Sequence, residues 1–146
     1  MDNIPNGTLY ARVTAGRGTL PLEGVTVYIR DYSEEGEGNI LYTLKTGDDG
    51  LTPSVQLPAP DKSSSLSPGS TALPYSEYVL TAVKNGFNTV ESVGVPIFDG
   101  VVSIQSVDMV PLTEDDVLNG KTGTTVYYES GGYTNLNGSL TEEGRI

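Results

Sequence analysis

Hydrophobic and polar residues alternate with a period of two along most of this 146-residue chain, and this period predicts β-strands rather than helices. In residues 24–30, for example, Val25, Val27 and Ile29 fall on one face of an extended segment, opposite polar or aromatic side chains. The same alternation predicts strands in six other segments, at residues 8–13, 40–45, 51–57, 78–83, 87–95 and 101–112. The sequence therefore predicts an all-β fold, a seven-stranded antiparallel sandwich.

A stretch rich in proline and serine, residues 58–76, interrupts this pattern with four prolines and six serines. Such a composition favours extended, unpaired backbone. Only about three predicted strands follow the stretch, which is too few for an independent sandwich. We therefore expect a long crossing loop inside one domain rather than a linker between two domains.

The chain changes character after the last predicted strand of the sandwich. Thr113, followed by three acidic residues, predicts a capped helical turn that ends at Gly120. Residues 124–129 and 133–136 then alternate like two short strands joined by a turn. The predicted organisation has four parts: an N-terminal arm at 1–6, the sandwich at 7–112, a capped turn and linker at 113–122, and an extended C-terminal arm at 123–146.

Composition excludes most familiar catalytic and metal chemistry. The chain contains 8 basic and 19 acidic residues, for a net charge of −11, and it contains neither histidine nor cysteine. No Ser-His-Asp triad, Cys-His pair, Cys/His zinc site or thiolate-bound iron–sulfur cluster can therefore form. We predict a protein that is not an enzyme, with no catalytic residue, no cofactor and no metal site. Calcium bound by carboxylates that converge from separate acidic loops stays open as an alternative.

Charge and hydropathy also limit the partners. A strongly acidic chain opposes binding to nucleic acid, and no apolar stretch is long enough to span a bilayer, so we expect neither nucleic-acid binding nor membrane insertion. No signal peptide is seen, because the first residues lack a basic region followed by an apolar one. The absence of cysteine fits a cytosolic protein, and it equally fits a surface fibre without disulfides.

Three motifs occur along the chain in order: Pro-Leu-Glu-Gly-Val-Thr-Val at 21–27, Thr-Gly-Asp-Asp-Gly at 46–50, and Tyr78 followed by Gly86-Phe87. In this order they resemble the transthyretin-like group, which includes carboxypeptidase regulatory-like domains and collagen-adhesin B-type repeats. The resemblance implies a prealbumin-type sandwich over residues 7–112. A further pattern, which includes Ile-Phe-Asp-Gly at 97–100, is similar to such domains in clostridial spore cortex-lytic proteins, where the domain accompanies a separate hydrolase domain.

The leading hypothesis is a non-catalytic structural subunit of a bacterial surface or spore-associated filament or fibre. A sandwich exposes unpaired edge strands, and an extended segment of another copy can add to such an edge through main-chain hydrogen bonds. We therefore predict self-association into a homopolymer through the terminal arms, outside the cell or on the spore surface. The expected contacts are apolar and aromatic side chains of both arms: Ile4, Val126, Tyr127, Tyr128, Tyr133 and Leu136.

Two other functions remain open on the sequence. An accessory binding module would associate with peptidoglycan, with another cell-wall glycan, or with a partner cell-wall hydrolase. A calcium- or glycan-dependent enzyme would use an acidic site built from loop carboxylates.

Overall fold

The computed structural model describes residues 4–33, 38–61, 74–120 and 123–129. In this part of the chain, nine strands and one short helix form two β-sheets around a common core. The elements, in chain order, are β1 (Asn6–Ala15), β2 (Leu20–Pro21), β3 (Thr26–Asp31), β4 (Ile40–Lys45), β5 (Val55–Pro58), β6 (Tyr75–Val83), β7 (Thr89–Phe98), β8 (Val102–Met109), α1 (Glu114–Leu118) and β9 (Thr124–Tyr128). The prediction of an all-β sandwich is confirmed.

Strand β1 is the centre of the first sheet. On one side it pairs in parallel with β8 along the whole length from Thr8 to Ala15. On its other side it pairs antiparallel with β5, then with Leu51 through a single bridge at Arg12, and finally with β2. One long strand therefore holds several short partners together.

The second sheet has the strand order β4-β3-β6-β7-β9. Its first four strands are antiparallel to their neighbours, whereas β9 pairs in parallel with β7 between Thr89 and Val93. The prediction of seven antiparallel strands is therefore wrong in its strand count and in the direction of two pairs. A period-two pattern identifies the two faces of a strand but not its neighbours in the sheet, so it carries no information on parallel pairing.

Alternate residues of both sheets point inward and form one hydrophobic core. In β1, Leu9, Ala11 and Val13 are at most 1% exposed. The opposing sheet contributes residues that are equally buried, among them Val27, Ile29, Leu80 and Ile97. The face of β3 predicted to be apolar is thus the buried face.

The Thr-Gly-Asp-Asp-Gly segment forms the turn that leads from β4 to the first sheet. The Gly47 N–H donates to the carbonyl oxygen of Leu51 at 3.0 Å, and the Gly50 N–H donates to that of Gly47 at 2.9 Å. Gly50 has a φ of +79° and lies against β1, where an added Cβ would be 2.6 Å from the carbonyl oxygen of Val13. A side chain would be strained and would clash here, so the position requires glycine.

The threonine at the start of that segment is a buried hydrogen-bonding centre. Its hydroxyl accepts from the Val25 N–H at 3.0 Å and donates to the Leu22 carbonyl oxygen at 2.6 Å. The Thr46 N–H in turn donates to the Val25 carbonyl oxygen at 3.0 Å. Thr46 therefore joins the end of β4 to the loop that precedes β3.

Helix α1 begins at the N-cap that the sequence predicts. The Thr113 hydroxyl accepts from the Asp116 N–H at 2.9 Å, and the Thr113 N–H donates to the Asp116 carboxylate at 3.1 Å. The helix ends before Gly120, which has a φ of +67°. Because the Leu112 N–H donates to the Gly86 carbonyl oxygen at 2.8 Å, α1 starts from a fixed point at the end of the sandwich.

Tyr78 is a buried aromatic residue of β6 whose hydroxyl donates to the carbonyl oxygen of Pro58. Burial raises the pKa of this hydroxyl above its ordinary value of 10.0, and the nearby Asp31 carboxylate raises it further. A hydrogen bond with the Ser76 side chain acts in the opposite direction. The folded protein therefore keeps Tyr78 protonated at a pH where the unfolded chain begins to lose that proton.

Replacing Thr46 by valine tests the buried hydroxyl. Thr46→Val keeps the shape of the side chain but leaves the buried Val25 N–H without that acceptor, so we expect the free energy of unfolding to fall by about 1–3 kcal/mol. Urea denaturation measures the change. Thr43→Val, at an exposed position of β4, is the matched control and should change stability by less than about 0.5 kcal/mol. Equal effects of the two substitutions would contradict this role of Thr46.

Alkaline pH should destabilise the protein partly through Tyr78. Its contribution is complete below pH 10.0 and is lost as the pH rises, because the unfolded chain ionises before the folded one. Tyr78→Phe should lower stability at neutral pH by about 1 kcal/mol and make the alkaline decline shallower. Denaturant unfolding between neutral and strongly alkaline pH checks both effects. Tyr128→Phe, on an exposed ring, is the control and should leave the slope at its wild-type value.

Candidate functional site

Strand β8 is an exposed edge of the first sheet. The Thr8 N–H donates to the carbonyl oxygen of Val101 at 2.9 Å, so the odd-numbered residues of β8 direct their backbone groups toward β1. The remaining residues direct their N–H and C=O groups the other way: Val102, Ile104, Ser106 and Asp108. Among the described residues, no strand pairs with β8 on that side. One of these groups, the Ser106 C=O, accepts from the Gln105 side-chain amide at 3.1 Å.

Two cavities follow this edge, between β8 and the second sheet. The larger has a volume of about 450 Å³ and is lined by all four residues 105–108. Because successive side chains of a strand point to opposite faces, such a cavity lies along the strand's edge rather than over one face. The smaller, of about 310 Å³, shares Gln105 and continues past Ser103. The second sheet supplies the other wall, with Val90, Ser92, Val95 and Tyr127. We call the two cavities together the edge groove.

Charged side chains are concentrated at one end of the edge groove. Arg12 and Arg17 line the larger cavity, as do Asp108 and Glu129. Arg17 lies in the turn between β1 and β2 with a φ of +59°, and the Gly18 N–H ties this turn to the Asp108 carboxylate at 3.3 Å. Within the described part of the chain, neither arginine side chain forms an ion pair. The larger cavity therefore carries two basic and two acidic side chains, in a protein that is otherwise strongly acidic.

The N-terminal residue predicted as a contact lies next to the first sheet. The Ile4 side chain is 69% exposed, and its carbonyl oxygen accepts from the Asn6 amide at 3.0 Å. The Ala59 N–H donates to the Pro5 carbonyl oxygen at 3.1 Å, so the backbone is held from Pro5 onward. Ile4 is thus accessible on the surface, but it lies close to the body of the protein.

Three of the C-terminal residues predicted as contacts lie in a strand of the protein's own second sheet. Val126, Tyr127 and Tyr128 belong to β9, which pairs with β7 of the same chain, and the Tyr127 ring packs against the core. β9 thus pairs with an edge of its own sheet that would otherwise be exposed, and contact of these three residues with another copy stays a prediction. Tyr133 and Leu136 lie outside the described residues.

Sequence reasoning missed β8 as an exposed edge because it treated the segment only as another strand of the core. The signal was present in the alternation itself. Val102 and Ile104 are apolar but fall on the outward face, where they are 63% and 54% exposed. Large apolar side chains on the solvent face of an edge strand indicate a surface that another segment can cover.

The described part of the chain has neither a cluster of metal-binding side chains nor a membrane-spanning helix. Within residues 4–33, 38–61, 74–120 and 123–129, no three or more acidic side chains gather closely enough to hold a metal ion. In the same ranges, no helix has the length and hydropathy needed to cross a bilayer.

Comparison with known proteins finds distant structural neighbours. No protein-family model and no curated protein matches this chain. Among solved structures, the TIE protein of Bacillus anthracis is 11% identical, with a TM-score of 0.46, over 74% of this chain and 17% of its own. GBS52, the minor pilin of Streptococcus agalactiae, is 14% identical, with a TM-score of 0.44, over 75% and 47%. The 3-chlorocatechol 1,2-dioxygenase of Rhodococcus opacus 1CP is 10% identical, with a TM-score of 0.46, over 76% and 62%.

These neighbours do not assign a function. This chain spans less than two thirds of the length of each of them, and they include proteins as different as a minor pilin and a dioxygenase. The resemblance to transthyretin-like domains, and to those of spore cortex-lytic proteins, stays a prediction because no family model matches.

The position of β9 is tested by truncating its two tyrosines one at a time. Tyr127→Ser removes a ring that packs on the core and should lower the free energy of unfolding by about 2 kcal/mol. Tyr128→Ser, at a position that is 49% exposed, should change it by less than about 0.5 kcal/mol. Urea denaturation of dilute protein measures both. Two small and equal effects would contradict the docking of β9 on its own sheet.

Proposed function

We propose that this protein is a non-catalytic structural subunit of a bacterial surface or spore-associated assembly, in which copies are joined by strand addition. The observation that carries the proposal is the exposed edge of β8 together with the edge groove beneath it. In this proposal β8 is the acceptor edge, and the arriving strand comes from another copy of the chain.

The edge has what strand addition requires. Its outward backbone groups provide hydrogen bonds that any extended segment can use, and this main-chain pairing supplies affinity. The cavities of the groove then receive alternate side chains of the added strand, which gives specificity. Filling them also covers the exposed apolar side chains of Val102 and Ile104 in part, because a neighbouring strand brings its own outward side chains beside theirs.

The terminal arms supply the added strand in this proposal, with one restriction. Because β9 pairs with β7 of its own chain, the proposal takes the added strand from the part of the C-terminal arm beyond Glu129. Ile4 is an additional contact at the N-terminal side.

A second candidate function is an accessory binding module for peptidoglycan or another cell-wall glycan, alone or with a cell-wall hydrolase. It is favoured by a further cavity of about 440 Å³ on the outer face of the first sheet, lined by Tyr10, Asp49 and Leu51. This cavity shares Arg12, Ile104 and Ser106 with the edge groove. An aromatic ring beside charged groups is a usual lining for a sugar.

Light scattering and electron microscopy of the purified full chain test the proposal. We expect the mass to rise with concentration and polymers to be visible. Ser106→Pro removes an N–H that points away from β1, so the strand's own pairing is kept while the edge is blocked. We expect this variant to stay folded and monomeric, and the matched control Ser106→Ala to assemble like the wild type.

Two results would overturn the proposal. One is a wild-type chain that remains monomeric at every concentration; if that monomer also sediments with insoluble peptidoglycan, the binding-module function takes its place. The other is a Ser106→Pro variant that is folded by circular dichroism and assembles as well as Ser106→Ala.

A further inference from the structure

We infer that the larger cavity of the edge groove binds an uncharged sugar, with Ser92 as the buried hydrogen-bonding group and the charged side chains around it as further partners. This inference goes beyond the proposed function, because it concerns a small molecule and holds for a single copy of the chain. In the proposed function the same cavity receives side chains of an added strand, so a bound sugar and that strand exclude each other.

The larger cavity has the size and the apolar lining of a small-ligand pocket. Its volume of about 450 Å³ falls in the range that such pockets occupy. Val90 and Val107, each 3% exposed, and the half-buried ring of Tyr127 supply its apolar surface. The ring faces of a sugar carry C–H groups, which can pack against aliphatic and aromatic side chains of this kind.

A buried hydroxyl in this cavity lacks a partner within the described part of the chain. Ser92 of β7 is only 1% exposed, yet its hydroxyl forms no hydrogen bond with any described residue. A hydroxyl that loses water on folding without gaining a partner costs free energy, so buried polar groups nearly always have one. Because Ser92 lines the cavity, a hydroxyl group of a ligand can be that partner.

A second hydroxyl of the cavity can also bond with a ligand. Thr14 is 6% exposed, and its hydroxyl donates to the Val107 carbonyl oxygen at 3.4 Å. Since a hydroxyl oxygen keeps two lone pairs when its hydrogen is engaged, Thr14 can still accept a hydrogen bond. Ser92 and Thr14 belong to different sheets, so they approach a ligand from the two walls of the cavity.

The charges around the cavity balance each other. Arg12 and Arg17 can only donate hydrogen bonds, whereas ionised Asp108 and Glu129 can only accept them. Within the described residues neither arginine forms an ion pair, so their N–H groups are available to a ligand. A ligand with a net charge would be attracted by one pair of side chains and repelled by the other. A sugar hydroxyl both donates and accepts, so an uncharged sugar can bond with both kinds of group at once.

Amide chemical shifts of the dilute, isotope-labelled full chain test this site, with glucose and N-acetylglucosamine as probes. We expect both sugars to shift the amides of Ser92 and of residues 105–107 in a saturable way. Glucosamine and glucuronate carry a positive and a negative charge at mildly acidic pH, and they are the matched probes. Each should bind several-fold more weakly than glucose, because each meets two side chains of its own charge.

Removing the buried hydroxyl separates binding from stability. Ser92→Ala should weaken the binding of glucose about fivefold, as loss of one hydrogen bond between neutral groups does. It should not lower the free energy of unfolding, because this hydroxyl has no partner to lose among the described residues. Ser54→Ala, at an exposed position before β5, is the matched control and should leave both quantities at their wild-type values.

Changing the charge balance should change the preferred probe. Arg17→Gln leaves one basic and two acidic side chains around the cavity, so we expect this variant to bind glucosamine more tightly than glucose. Lys45→Gln removes the same charge from β4, away from the cavity, and should keep the wild-type order of the probes.

The inference is overturned if neither glucose nor N-acetylglucosamine shifts these amides, if the wild-type chain prefers a charged probe, or if Ser92→Ala binds glucose as tightly as Ser54→Ala. Shifts confined to Tyr10 and Asp49 also overturn it, because the sugar then lies in the cavity on the outer face of the first sheet. None of these results bears on assembly, which light scattering of concentrated protein measures separately. A chain that binds glucose in the groove but remains monomeric at every concentration overturns the proposed function and leaves this inference standing.

Discussion

The parallel pairing of β1 with β8 is the interaction on which the rest of the structure depends. It joins a strand near the start of the chain to one that lies beyond most of the core, so the loop-closure entropy of nearly the whole sandwich opposes it. Burial of apolar side chains from both strands, such as Leu9 and Met109, offsets that entropy. With this pair in place, β5, Leu51 and β2 need only short contacts on the other side of β1.

This arrangement leaves an opening where the two sheets end on the same side. The first sheet stops at β8, whereas the second extends to β9, so the space between them is bordered by backbone on one side and by Val90, Ser92 and Tyr127 on the other. Two sheets that pack face to face usually protect such an edge with charge, with a bulge or with a covering segment. In this protein the Gln105 side-chain amide donates a hydrogen bond to the Ser106 carbonyl oxygen, and this bond satisfies one outward backbone group of the edge.

The charged side chains around this opening differ from those of the rest of this acidic protein. A net charge of −11 makes identical copies repel one another at a distance. In the proposed assembly, contacts between copies depend on short-range hydrogen bonds and on places where the local charge differs from the average. The end of the edge groove that carries Arg12 and Arg17 is such a place, and the turn that bears Arg17 is fixed there by its bond to Asp108.

Local patterns in the sequence determined most of the strands, the buried face of β3, the cap at Thr113 and the glycine turn at Gly50, because each depends on neighbours within a few residues. Composition alone excluded histidine and cysteine chemistry. Only the tertiary structure decided that β8 lies beside β1, that β9 joins its own sheet, and that Arg12 and Arg17 share a cavity with Gln105. These are contacts between distant segments, and a two-residue period looks the same whichever strand lies next to it.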